Sequence, residues 1–196
     1  MINPIHDIDH VLLSEQAIDD IVTRLADRIN RDYAPSPSAI RPFKLIVVAV
    51  MKGSVFFYTD LIKKLNVPVE LDFVKVSSYY AGTRSSGQLK IHLDLKRDDY
   101  ENIDILLVED IVDSGRTLLA LTENLKGRGA HSVRTVTLLD KPSRREVDFT
   151  ADYIGAEIPD EFVVGYGLDY DEKYRNLPYV GILKESVYTK NEESAE

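Results

Sequence analysis

The chain has 196 residues, with 24 Lys or Arg against 33 Asp or Glu, a formal net charge of −9 and no cysteine. That length suits one domain with a substantial core, and the missing cysteine excludes disulfides, thiolate zinc sites and cysteine nucleophiles. The acidic balance argues against a nucleic-acid partner, whose backbone is held by clustered Lys and Arg.

Met1 to His10 carries Asp7 and Asp9 and lacks the basic flank and apolar stretch of a secretory signal, so a cytoplasmic setting is expected. Ile18, Ile21, Val22, Leu25 and Ile29 repeat at helical spacing behind Ser14, a capping residue type, which predicts an amphipathic helix over Ser14 to Arg31. Pro35, Pro37 and Pro42 mark a loop. Lys44 to Met51 reads as a central parallel strand covered on both faces. Leu45 to Met51 is also the longest apolar run and is too short to cross a bilayer, so no membrane contact is expected. A helix over Val55 to Asn66 follows, ended by Val67-Pro68.

Val69 to Ser77 alternates like a strand with one mostly apolar face. Tyr80 to Leu89 is rich in Ser, Gly and Thr, and Lys90 to Leu95 is a second strand, so the pair predicts a lid. Ile103 to Val108 is a buried strand, Leu118 to Arg128 a helix stopped by Gly129, and Val133 to Leu139 the next strand. Alternating strand and helix implies a parallel sheet. Tyr153 to Ala156, Phe162 to Gly165 and Tyr179 to Leu183 are short strands expected to form a small hood beside it, and Thr189 to Glu196 a fraying polar tail. His6, His10, His92 and His131 show no metal-ligand pair on one face and read as surface or packing residues.

The most informative stretch is Val108-Glu109-Asp110-Ile111-Val112-Asp113-Ser114-Gly115-Arg116-Thr117-Leu118. A buried strand ends there in two carboxylates and a small-residue loop that opens a helix. Such a helix start suits a phosphate, whereas the carboxylates imply hydroxyls or a divalent cation on the same ligand. A sugar phosphate meets both demands. For both acids to reach one sugar, the strand should have ended by Glu109, because adjacent strand residues point to opposite faces. The plain alternative is an acidic turn in which Asp113 or Ser114 caps the next helix.

This stretch resembles the 5-phosphoribosyl 1-pyrophosphate (PRPP) motif of the type I phosphoribosyltransferases. Met51-Lys52-Gly53-Ser54, Ser77-Ser78-Tyr79, Leu138-Leu139-Asp140-Lys141 and Phe162 to Tyr170 extend the likeness to the hypoxanthine (hypoxanthine-guanine) members. The resemblance implies an α/β fold: a central parallel sheet flanked by helices, with a small hood and a flexible lid. It implies one domain over 1–188, the hood coming from the N-terminal segment and roughly 150–188, with 189–196 as the tail. The implied reaction moves the phosphoribosyl group of PRPP to a 6-oxopurine, with Mg2+ as cofactor and a homodimer or homotetramer as the assembly.

Residue by residue, the resemblance makes Asp113 the general base or purine N7 partner. Glu109 and Asp110 take the ribose hydroxyls or a cation, while Asp113, Ser114, Gly115, Arg116 and Thr117 wrap the 5′-phosphate, Arg116 chiefly through its backbone N–H. Lys52 and Gly53, in a loop expected to hold a non-proline cis peptide, and Arg175 meet the pyrophosphate, with Asp169 as a metal ligand beside them. Lys141, Phe162 and Val163 receive the purine: Lys141 donates to the 6-oxo group and so disfavours adenine. Ser78 and Tyr79 belong to the lid, where Tyr80 departs from the Gly often found in relatives. Two other readings stay open, a xanthine-guanine enzyme and a PRPP-binding regulatory protein.

Overall fold

The structure is a computed structural model that describes residues 4–34, 43–78, 89–95, 97 and 100–192. A short helix α1 (Pro4–Asp7) leads into β1 (Ile8–Leu13), and the long helix α2 (Glu15–Asp32) follows. Ser14 caps α2, its side chain accepting from the Ala17 N–H at 3.2 Å. The predicted apolar stripe is buried as a block, Ile18, Ile21, Val22, Leu25, Ala26 and Ile29 all lying inside. Each large member of such a stripe is worth about 1.5–3 kcal/mol when fully buried.

The main sheet has six strands. They are β2 (Leu45–Met51), β3 (Val69–Ser78), β4 (Leu89–Leu93), β5 (Asp104–Val112), β6 (Ser132–Asp140) and β7 (Tyr153–Glu157), in the spatial order β4-β3-β2-β5-β6-β7. All neighbours are parallel except the edge pair β3 and β4, which is antiparallel. Helix α3 (Val55–Lys64) joins β2 to β3, and α4 (Arg116–Gly127) joins β5 to β6.

The continuous apolar runs are explained by two cores. Val47, Ala49, Leu106 and Val108 face α2 and α3, while Ile46, Val48, Ile105 and Leu107 face the α4 side with Leu118, Leu121 and Leu125. Gly129, at φ +91°, ends the α4 turn as expected.

A second, three-stranded antiparallel sheet is ordered β1-β9-β8, with β8 (Val163–Val164) and β9 (Val180–Leu183). It closes over its own small core of Ile8, Val164, Tyr174 and Leu183.

Three expectations change. Tyr153–Glu157 is not in the hood: it pairs with β6 from Val136↔Tyr153 to Asp140↔Glu157 and forms the edge of the main sheet. β3 does not bury one apolar face, since Leu71 and Phe73 are exposed while Val74 on the other face is buried. The end of the chain does not begin fraying at Thr189, because helix α5 (Glu185–Glu192) runs through it. Tyr79 and Tyr80, at the start of the expected lid, and the rest of that loop through residue 88 lie outside the described residues, and Ser78 is the last residue of β3. Among the described residues, no helix is long and apolar enough to cross a membrane.

Candidate active site

The carboxyl ends of β2, β5 and β6 lie side by side, in register through Ala49↔Val108 and Val112↔Asp140. In a parallel sheet this edge is where ligands bind. A cleft of about 290 Å³ opens there, lined by Val50, Met51, Val76, the whole stretch Glu109 to Gly115, Thr117 and Leu118. A larger hollow of about 750 Å³, between α2 and α3, contains none of the predicted site residues.

β5 runs to Val112, so the strand does not end before the acids as expected. Its pairing with β2 stops at Val108, and only the β6 side continues. The chain is thus freed on one edge at Glu109, and both acids line the cleft. Burial raises the Glu109 carboxyl well above the usual carboxylate range, and the adjacent Asp110 raises it further. Burial also raises Asp110, against the hydrogen bonds it accepts. Two carboxyls this close cannot both ionise without cost, and hydroxyl donors or a cation would relieve it.

Downstream, Gly115 takes a left-handed conformation, φ +81°, and stands at the N-cap of α4 without a side-chain capping bond. Ser114 Oγ instead accepts from the Arg116 N–H at 3.4 Å. Gly115, rather than Asp113 or Ser114, is thus the N-cap residue, while Ser114 partners one first-turn N–H of α4. The Arg116 side chain turns to Glu146, Nε to Oε2 at 2.6 Å.

On the β2 side the Met51-Lys52 peptide is cis, in the loop where one was expected. Lys52 Nζ meets the Glu172 carboxylate at 2.9 Å. Arg175 meets Asp169 at 2.8 Å, Glu172 at 3.3 Å and the Gly167 carbonyl at 2.7 Å. Lys52, Arg175 and Asp169 are thereby gathered at one corner.

On the β6 side Lys141 is only 7% exposed, a buried lysine rather than a surface one. Its Nζ donates to the Glu161 carbonyl at 2.8 Å and stands 3.9 Å from Asp113 Oδ1. Glu161 leads directly into Phe162, which is 38% exposed, and Val163, which is buried in β8.

The phosphoribosyl transferase domain family matches residues 11–171. The chain belongs to the phosphoribosyltransferases. It is 47% identical to a hypoxanthine-guanine phosphoribosyltransferase of Staphylococcus aureus over 94% of this chain and 98% of that one. The crystal structure of a hypoxanthine phosphoribosyltransferase from Staphylococcus aureus superposes with a TM-score of 0.85 at 46% identity, covering 96% of this chain and 98% of the other. A Trypanosoma cruzi hypoxanthine phosphoribosyltransferase, solved in work on the role of its C-terminal region in oligomeric state and activity, gives 0.86 at 41% identity, covering 95% and 96%.

The carboxylates of this phosphoribosyltransferase fit a hard divalent cation by donor type. Asp169 already spends Oδ1 on Arg175 and Oδ2 on the Glu172 N–H. Among the described residues no three acids or histidines form a ready-made cage. Magnesium keeps waters and substrate oxygens in its shell and needs only one or two protein carboxylates.

Two groups escaped the sequence reading. Glu172 bridges Lys52 and Arg175, and it sits among left-handed residues, Asp171 at φ 52° and Glu172 at φ 59°, that its sequence does not advertise. The Glu161 carbonyl is a backbone group, identified only by the lysine that points to it.

Proposed function

We propose that this chain transfers the 5-phosphoribosyl group from PRPP to hypoxanthine, guanine or both, releasing pyrophosphate and giving IMP or GMP. The observation that carries the reading is the 3.9 Å between Lys141 Nζ and Asp113 Oδ1, which sets a buried purine-side donor beside the phosphate loop. A 6-oxopurine laid on Phe162 would meet Lys141 at its oxygen and the Val163 backbone at its edge, with Asp113 placed to hold or take a ring proton.

The loop from Asp113 to Thr117 and the first turn of α4 would hold the 5′-phosphate. Glu109 and Asp110 would accept from the ribose hydroxyls, and Lys52, the Gly53 backbone and Arg175 would receive the pyrophosphate. The bond between ribose C1 and the pyrophosphate oxygen breaks as the purine nitrogen bonds to C1, so positive charge grows on the sugar and negative charge on the leaving group. Magnesium on the pyrophosphate side, at Asp169, and a second ion at Glu109 and Asp110, each shell completed by substrate oxygens, would neutralise part of that charge. Ser78 and Tyr79 are proposed to belong to the lid over the reacting sugar.

A cytoplasmic enzyme working as a homodimer or homotetramer completes the proposal. Spectrophotometric assays with PRPP, magnesium and hypoxanthine, guanine or xanthine in turn test it. Turnover of hypoxanthine or guanine, abolished by chelation, is the expected result. Equal use of xanthine would move the assignment to a xanthine-guanine enzyme, and no turnover with any base would reject the reading.

A further inference from the structure

Asp140 ends β6 immediately before Lys141, and its carboxylate is buried, 5% exposed. A 3-10 turn over Pro142–Arg144 folds the chain back, with the Arg144 N–H donating to the Lys141 carbonyl at 3.0 Å and the Arg145 N–H to that of Pro142 at 3.2 Å. The turn returns Arg145 onto Asp140, where Nη2 pairs with Oδ1. The same guanidinium reaches across to the phosphate loop, and Nη1 donates to the Asp113 carbonyl. Its side chain is only 16% exposed.

The neighbours of Arg145 continue the contact. The Glu146 N–H donates to the Ser114 carbonyl at 3.1 Å, and the Glu146 carboxylate holds Arg116 at 2.6 Å. A Cβ on Gly115 would meet Arg145 Cδ at 3.0 Å and Val147 and Phe149 at 3.2 Å. Four consecutive residues of the phosphate loop are therefore gripped by the segment that follows the purine lysine.

We propose that Arg145 is a positioning residue: by bridging the Asp140 carboxylate and the Asp113 carbonyl it sets the spacing between the purine held at Lys141 and the ribose phosphate held at Asp113 to Thr117. The proposal rests on the transferase reading above. A planar guanidinium can serve two acceptors in a fixed geometry, which an ammonium cannot. A buried ion pair is weak evidence for stability, since apolar residues often replace one without loss. Registering two substrates is a different demand, because reacting atoms must meet at near-contact distance and a misplacement of about 1 Å can cost about 100-fold in rate.

The test uses the full chain with Arg145→Ala, Arg145→Lys and Asp140→Asn, and Arg144→Ala as a control at an exposed neighbour. For Arg145→Ala, kcat with hypoxanthine should fall about 10- to 100-fold while PRPP affinity, measured by calorimetry, changes less than about threefold. Added guanidinium at tens of millimolar should restore part of the rate, and equal sodium chloride should not. Arg145→Lys should stay well below wild type, Asp140→Asn should resemble Arg145→Ala, and the double variant should be no worse than either.

An unchanged kcat in Arg145→Ala, or a loss that follows Tm and ignores guanidinium, overturns the proposal. Amide hydrogen exchange reads the clasp without turnover. It should rise together at Ser114 to Thr117 and at Lys141 in Arg145→Ala, and no rise at either overturns the clasp even if wild type proves inactive. Inactivity of wild type with every base would reject the transferase reading instead.

Discussion

Gly53 lies against Asp110 with no room for a methyl group: a Cβ on Gly53 would stand 1.6 Å from Asp110 Oδ2. On its other side Gly53 is just as close to the hood, since a Cβ on Gly167 would come within 1.9 Å of the Gly53 carbonyl oxygen. Asp110 cannot easily yield, being buried with Oδ1 held by the Ile111 N–H at 2.9 Å. Gly53→Ala should therefore displace the Asp110 carboxylate, lowering stability by about 1–3 kcal/mol as overpacking does. Turnover should drop at least about tenfold as the ribose contact is lost. Steady-state kinetics and urea unfolding check both, and a variant with wild-type kinetics would show that the loop tolerates more space than the structure allows.

The Phe162 ring stacks on Tyr188 of α5, centroids 5.3 Å apart and planes at 24°, and meets Tyr170 edge-on at 5.5 Å. Tyr188 thus supports the proposed purine platform. An aromatic pair is worth about 0.5–1.5 kcal/mol beyond its buried area, so Tyr188→Ala should raise KM for hypoxanthine about 2- to 12-fold. The KM for PRPP should stay nearly constant, and Tyr188→Phe should behave as wild type. A normal hypoxanthine KM in Tyr188→Ala would remove α5 from purine binding.

How much of this was legible beforehand depends on how local the signal is. β2 and the Ile105 to Val108 part of β5 are covered on both faces, so each appears in the sequence as an unbroken apolar run, and the strand-loop-helix around Asp113 is a contiguous pattern. β7 was misplaced because five residues do not state their partner: only the long-range pairing Val136↔Tyr153 assigns them to the main sheet. The extension of β5 was missed because acids at Glu109 and Asp110 look foreign to a buried strand, yet one-sided pairing with β6 accommodates them. Nothing in the pair Arg144-Arg145 tells the two side chains apart, and only the 3-10 turn reveals that one of them is folded inward.

Lys141 is the purine-side group most open to a direct test. Lys141→Met keeps the length and the apolar stem while removing the donor. Losing a hydrogen bond from a charged group costs about 1.5–3 kcal/mol, so kcat/KM for hypoxanthine should fall about 10- to 150-fold with PRPP affinity little changed. Asp113→Asn should lower kcat instead, without weakening PRPP binding. Undiminished use of hypoxanthine by Lys141→Met would exclude the contact with the 6-oxo oxygen.

The edge of the sheet near the expected lid is tied to the body by Asp94 and Arg128. The guanidinium forks onto the carboxylate, Nη1 to Oδ1 at 2.9 Å and Nη2 to Oδ2 at 2.6 Å, and Nη1 also reaches the Tyr100 hydroxyl at 3.3 Å. The hydrogen bond from Arg128 holds the Asp94 carboxyl below its ordinary value of 3.8. A carboxyl depressed in the folded state adds stability above its unfolded pKa, and that contribution is lost as pH falls through the depressed value. Because both side chains are partly exposed, the pair is screened, and about 0.5–1 kcal/mol is the expected worth. Asp94→Asn should cost that amount in urea unfolding at pH 7 and at pH 5. The gap from wild type should close as pH falls through that depressed value and Asp94 becomes protonated in both states. A gap that persists unchanged into acid would mean that the side chain acts through packing rather than through its charge.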